Sequence, residues 1–150
     1  MLNIKIMALT LRVDPKTSEN LESLDQALSL LKKGHFGEAL KVAQSITDID
    51  LPQISKGSLK FVLGASNNEL GNSELAILNL LEGYALISRE NQPAMLGHFQ
   101  DELARVLHKT GNLNASLFFI EMAISNFKLD GYADMVASCQ KLKDELLGLL

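Results

Sequence analysis

The chain has 150 residues, of which 47% are apolar and 21% charged, with a formal net charge of −4 at pH 7. This length suits one domain with its own core, and because no run of Lys or Arg exceeds Lys32–Lys33 we expect no nucleic-acid partner. Cys139 is the single cysteine, so the chain forms no internal disulfide and we expect a reducing, cytoplasmic location.

The N-terminal segment differs from the rest of the chain. Its sequence, MLNIKIMALTLRV, is apolar, and the alternation of Leu9, Leu11 and Val13 predicts an extended or poorly ordered segment over residues 1–16. It lacks the basic start and the cleavage site of a signal peptide. The apolar run from Leu75 to Ile87 falls short of the roughly 20 residues that cross a bilayer, so we expect no membrane partner. The native start is either Met1 or Met7.

The next part of the pattern is helical. Thr17 or Ser18 suits the N-cap of the first helix, whose leucines recur at spacings of three and four along one face. They are Leu21, Leu24, Leu28 and Leu31. Gly34 ends this helix, because glycine adopts the left-handed conformation at little cost.

Six further helices follow, joined by short turns, with no strand between them. The second runs from Phe36 to Thr47, and Pro52 suits the first turn of the third. Later helices end at Gly71, before Pro93, at Gly111 and near Leu129, and the last runs from Tyr132 toward the C-terminus.

Three glycine turns share their surroundings. Gly34, Gly71 and Gly111 each have a small residue five positions later and another seven positions earlier. The later residues are Ala39, Ala76 and Ser116, and the earlier ones are Ala27, Gly64 and Ala104. Two antiparallel helices approach closely where small side chains meet, so the pattern predicts repeated helical hairpins. The alternative is a generic helical bundle in which glycines simply end helices.

These residues resemble the tetratricopeptide repeat family, whose unit carries Leu-Gly or Leu-Ala in its first helix, a Gly turn, an aromatic residue and then Ala. Leu63–Gly64, Leu103–Ala104 and the set Gly34, Phe36 and Ala39 match. Ser73 and Leu113 depart from the aromatic position, and the spacing exceeds 34 residues. The resemblance covers roughly Leu21–Leu129. It implies an all-α, right-handed superhelix over residues 17–150, with about three hairpins and a C-terminal capping helix.

The resemblance also implies a concave groove lined by the first helix of each hairpin. Its binding positions correspond to Phe61, Asn68, Glu69, His98, Asp101, Arg105, His108 and Lys109. Leu24 and Leu28 occupy positions that hold polar residues in members that clamp a peptide carboxylate, which argues against such a clamp. The alternative for the third hairpin is a solvated helix face with an Asp101–Arg105 pair at i, i+4.

A second surface departs from the family pattern, because apolar residues take outward positions on the convex side. This outer patch comprises Leu75, Leu78, Leu81, Phe118 and Met122. An exposed apolar surface usually marks an interaction, so a second copy of the chain or another protein is expected to cover it. The alternatives are a shifted register that buries these residues, or an N-terminal segment that folds over them.

No motif predicts catalysis. His98 and His108 are ten residues apart on one helix, about 15 Å, which is too far to share a metal. A set of Asp101, His108 and Cys139 has only residue type in its favour. We therefore expect no enzyme, metal or cofactor, and predict a protein–protein interaction module acting as an adaptor, co-chaperone or regulatory scaffold. The alternative is a regulatory protein that senses a short peptide in the groove.

Overall fold

The computed structural model describes residues 15–47 and 50–150, which form seven α-helices and no strand. The helices are α1 (Pro15–Lys32), α2 (Phe36–Gln44), α3 (Gln53–Glu69), α4 (Ser73–Ile87), α5 (Pro93–Lys109), α6 (Leu113–Leu129) and α7 (Ala133–Leu149). The all-helical prediction is confirmed for this part of the chain. None of these helices is both long and apolar enough to cross a membrane. The prediction for the N-terminal segment falls largely on residues 1–14, which lie outside the described ranges.

Three predicted helix boundaries were wrong by one to three residues. The first helix begins at Pro15 rather than after Thr17 or Ser18, because proline has no N–H and suits the first helical position. The second helix ends at Gln44 rather than Thr47, where the N–H groups of Ser45 and Ile46 donate to the carbonyls three residues back, at 3.1 and 3.2 Å. Beyond this end, the Thr47 carbonyl accepts a hydrogen bond from Asn20 Nδ2 at 2.7 Å. Pro52 lies just before α3, at its N-cap position.

Four turns of one geometry connect the helices. Their glycines are Gly34, Gly71, Gly111 and Gly131, with φ between +73° and +85°. In each turn the N–H of the residue after the glycine donates to the carbonyl five residues back, at 2.8–3.0 Å. This is the Schellman arrangement, in which a positive φ favours glycine. The sequence pattern grouped three of these turns together, and it predicted the helix break around Gly131 without assigning it to the same group.

The small residues beside the first three turns do lie at close helix–helix contacts. Ala27, Ala39, Ala76, Ala104 and Ser116 are fully buried. Ser116 Oγ donates to the Ala104 carbonyl across the α5–α6 hairpin at 2.6 Å. At Gly64, an added Cβ would lie 2.5 Å from Leu80 Cγ on α4. The predicted close approach within hairpins is therefore confirmed.

A regular internal period emerges from the helix starts. From α3 to α7 the helices begin at Gln53, Ser73, Pro93, Leu113 and Ala133, so each begins 20 residues after the one before it. From α3 onward each hairpin with its turns therefore spans 40 residues, and α7 begins 40 residues after α5. Asp144 of α7 stands 40 residues after Ala104 and is exposed, bonded to Gln140. A charged side chain there opposes close packing of another helix, because burial would remove its hydration.

The first helices form one layer of the molecule. Each helix packs on its neighbours in the chain, and in addition α1 contacts α3 and α3 contacts α5. Within the described residues no comparable packing joins α2 to α4 or α4 to α6. Side chains that leave the hairpins on the α1, α3 and α5 side therefore face one shared surface.

Candidate functional site

An open groove of about 690 Å³ runs along the layer of first helices. It is lined from α1, from α3, from the start of α5 and from the residue that precedes α7. The lining residues are Leu28, Leu31, Lys32, Ser58, Phe61, Gln92, Ala94, Met95, His98, Phe99 and Tyr132. The walls are mainly apolar and aromatic, and the polar groups are few and spread along the groove. This composition is typical of a binding site.

One wall of the groove is a chain of aromatic rings in edge-to-face or tilted contact. Phe61 lies 5.2 Å from Phe99 and 6.2 Å from His98, measured between ring centroids. His98 in turn lies 5.0 Å from Phe127, and Phe127 lies 6.2 Å from Tyr132. Such ring pairs add stability beyond the area they bury. The wall therefore links α3, α5, α6 and the turn before α7.

A glycine makes room for this wall. An added Cβ at Gly97 of α5 would lie 3.0 Å from the ring of Phe127, so the absence of a side chain lets the ring lie against the helix backbone.

The start of α5 is held by a residue from outside the helix. Asp130 Oδ2 accepts a hydrogen bond from the Ala94 N–H at 2.9 Å, while the N-cap residue Gln92 makes no side-chain cap. A carboxylate at a helix N-terminus is stabilising.

His98 is the titratable aromatic residue of the groove. Burial lowers the pKa of its imidazole below the ordinary value, and the nearby Asp101 carboxylate opposes this effect. The ring is therefore neutral at pH 7. Lys32 is then the residue that brings a formal charge to the groove lining.

Four of the predicted groove residues instead join the first helices to one another. Asn68 of α3 is buried; its Nδ2 donates to Glu102 Oε1 at 2.8 Å, and its Oδ1 accepts from Lys109 Nζ at 3.1 Å. Both partners belong to α5. Glu69, at the end of α3, is exposed. Asn68 and Lys109 thus hold α3 against α5, and neither lines the groove.

Asp101 and Arg105 connect α5 to α7 in the same way. Arg105 Nε donates to Asp101 Oδ1 at 2.9 Å, which is the predicted i, i+4 pair, and Arg105 Nη2 donates to Ser138 Oγ at 3.0 Å. Cys139 Sγ donates to Asp101 Oδ1 at 3.6 Å. Asp101 is only 8% exposed, so the solvated face considered for this cluster is wrong at Asp101.

The structure brings together two of the three residues considered for a reaction centre, Asp101 and Cys139. Within the described ranges, the hydrogen bonds of Asp101 go to Arg105 and Cys139, and none joins it to His108. Burial raises the pKa of the Cys139 thiol to about 12, and the Asp101 carboxylate adds to the rise. A thiol is nucleophilic as its thiolate, so Cys139 acts as a packing residue. No group of three metal-ligating side chains occurs among the residues searched.

The partly buried carboxyl of Glu102 lowers the stability of the folded chain when it is ionised. Burial raises the pKa of its carboxyl; Asp101 and Glu69 add to the rise, while the Asn68 hydrogen bond and Arg105 oppose it. The folded chain therefore binds this proton more tightly than the unfolded chain. Stability is lost as pH rises above the ordinary glutamate range, and the loss is complete above the raised folded pKa.

We expect Glu102→Gln to raise the free energy of unfolding at pH 7, because the amide keeps an acceptor for Asn68 without a buried charge. The gain relative to wild type shrinks as pH falls toward about 4, and chemical denaturation across that range measures it. Glu22→Gln on the exposed face of α1 is the control. A Glu102→Gln protein less stable than wild type at pH 7 contradicts the assignment.

The outer patch lies where the sequence placed it. Leu75, Leu78, Leu81 and Phe118 are 44–60% exposed, whereas Met122 is half-buried. The shifted register that would bury these residues is therefore wrong for the first four.

Comparisons with protein-family models, with curated proteins and with solved structures found no match to this chain. The likeness to tetratricopeptide repeats thus stays a prediction.

Sequence reasoning missed Met95 and Tyr132 in the groove. The signal for Tyr132 was available, since it follows Gly131 in the pattern of the other three turns. Nothing in the sequence signalled the Asn68–Glu102 contact between helices.

Proposed function

We propose that this chain is a non-catalytic protein-interaction module of tetratricopeptide-like hairpins, wound as a right-handed superhelix, that receives a segment of a partner protein in its groove. The groove along α1, α3 and α5 carries the proposal. Its walls come from three successive hairpins, so a bound segment touches all of them together. The 40-residue period and the single layer of first helices support the repeat assignment.

The chemistry of the groove favours a peptide or a helix from a partner. Exposed aromatic and methionine side chains are enriched at protein interfaces and provide most of the binding energy. Phe61, Met95 and Tyr132 supply such anchors, while Ser58 and Gln92 supply hydrogen-bonding groups between them. The groove is open to solvent, which suits a segment of a larger chain.

A regulatory peptide sensor is the second candidate function. Side-chain hydrogen bonds join the first helices to one another: Asn68 of α3 bonds to Glu102 and Lys109 of α5, and Arg105 of α5 bonds to Ser138 of α7. A segment bound across α1, α3 and α5 would compete with or reinforce these contacts and so change the spacing of the hairpins. A ligand that binds one spacing better shifts the population toward it.

A selection from a displayed library of random peptides tests the groove. We expect the full chain to enrich a family of related peptides, and expect Ser58→Arg to weaken their binding by about tenfold or more, equivalent to at least 1.4 kcal/mol. The arginine places a long charged side chain among the apolar anchors. Binding is measured by isothermal titration calorimetry with a synthetic peptide of the enriched sequence.

Ser29→Arg is the matched control, because Ser29 is exposed on α1 and does not line the groove. Equal weakening by both substitutions, or a selection that enriches no sequence family, would contradict a peptide site in the groove.

A further inference from the structure

The outer patch is a continuous apolar surface over two hairpins. Leu78 of α4 and Phe118 of α6 are 40 residues apart and occupy the same position in successive units, with exposures of 53% and 60%. Between the two helices the rings of Tyr84 and Phe119 lie 6.4 Å apart, and Phe119 contacts Phe118 at 5.4 Å. Scattered apolar residues on a surface are ordinary, but a connected set of this kind marks a contact.

The sequence contains a segment with matching chemistry. Residues 1–13 hold nine apolar residues, the two cations Lys5 and Arg12, and no acidic residue. Because the whole chain has 14 Lys and Arg and 18 Asp and Glu, residues 14–150 hold 12 and 18, a net charge of −6. An apolar cationic segment is thus attached to an anionic body.

We propose that residues 2–13 of the same chain cover the outer patch. Carboxylates flank the exposed leucines: Glu74 follows Ser73 at the start of α4, Glu82 follows Leu81, and Glu121 lies on α6. Glu82 and Glu121 also pair with Lys60 and Lys143, at 2.7 and 3.7 Å, yet their side chains stay 45% and 50% exposed. Both carboxylates therefore remain accessible to a second cation.

Charge also distinguishes the patch from the groove, which is the other apolar surface available to this segment. The formal charge in the groove lining is the cation Lys32, which repels Lys5 and Arg12. At the outer patch the same cations meet carboxylates. Complementary charges select the docking surface when two apolar surfaces compete.

The tether favours the same chain over a second copy. Thirteen extended residues reach at most about 43 Å, so the segment always stays within that distance of the start of α1. A short linker gives an effective concentration in the millimolar range, above that of a second protein molecule in ordinary solution.

Paramagnetic relaxation enhancement in the full chain tests the proposal. A nitroxide is attached at Ala8→Cys, since Cys139 is buried and its raised pKa leaves it unreactive, and the leucine methyl groups are observed by NMR. We expect several-fold loss of signal at Leu75, Leu78 and Leu81, restored on reduction of the label. The loss should persist when labelled chains are diluted with an excess of unlabelled protein.

A charge-reversal variant supplies the second measurement. Lys5→Glu combined with Arg12→Glu should weaken the signal loss at the three leucines, whereas Lys33→Glu combined with Arg89→Glu, an equal change at two exposed cations elsewhere, should leave it unchanged. The proposal is overturned by signal loss at Leu28 and Leu31 in the groove, by loss that disappears on dilution and so reports a second copy, or by no loss at any of these leucines.

Discussion

Replacing Phe127 by alanine lowers the free energy of unfolding by about 3–5 kcal/mol. Phe127 is fully buried on α6 and belongs to the core shared by α5, α6 and α7. Its ring also packs against His98 and Tyr132 and fills the space left at Gly97. Truncation of the ring leaves a cavity. The neighbouring helices fill it only in part, because the turn at Gly131 holds them in place.

Leu129→Ala is the matched control, on the same helix with a side chain that is 75% exposed and lies outside the outer patch. We expect a change within about 0.5 kcal/mol, as for ordinary surface positions. Urea denaturation followed by circular dichroism measures both variants, and an unchanged slope against denaturant shows that the difference lies in stability. Similar losses at the two positions would mean that α6 does not present these opposite faces.

Gly64→Ala is the second large effect, and its direction opposes helix propensity. Alanine in a helix interior is favoured over glycine by about 1 kcal/mol. At Gly64, however, the new Cβ would lie 2.5 Å from Leu80 Cγ and 3.3 Å from the Ala76 carbonyl oxygen. Overpacking of this kind costs about 1–3 kcal/mol and pushes α3 and α4 apart, so after the propensity gain we expect a net loss of up to about 2 kcal/mol.

Gly37→Ala shows the opposite sign. Gly37 lies within α2, and no other atom comes within 4 Å of an added Cβ. The propensity gain is then uncompensated, and we expect stabilisation by about 0.5–1 kcal/mol. Thermal and urea denaturation of the two variants side by side measure the difference. A stabilised Gly64→Ala protein would show that the α3–α4 hairpin is not closely packed there.

The parts of the fold that were predictable are those that depend on neighbours in the chain. A residue with positive φ is a local requirement that glycine meets, so Gly34, Gly71 and Gly111 marked their turns. The small residues at fixed offsets from them followed from the geometry of one hairpin. The helix ends were less predictable, because the segment after α2 is held by another helix, through the hydrogen bond from Asn20 to the Thr47 carbonyl.

The candidate site was predicted only in part, because contacts between different helices decide which of its residues face the groove. Phe61 and His98 line the groove as the resemblance implied, but Asn68 and Asp101 are buried in contacts with neighbouring helices. The spacing of apolar residues in the sequence shows which face of a helix a residue occupies. It does not show whether that face meets water or a helix from another hairpin.

The amino-acid pattern therefore specifies the helices, the glycine turns and the pairing within each hairpin, since these depend on contacts close in the chain, such as Ser116 with Ala104, 12 residues apart. How the hairpins stack depends on side chains that meet from different hairpins or from α7, such as Asn68 with Glu102 and Arg105 with Ser138. These pairs lie 34 and 33 residues apart, and their hydrogen-bond geometry exists only once the helices have packed. The groove, the buried polar contacts and the exposure of Leu78 all follow from that packing.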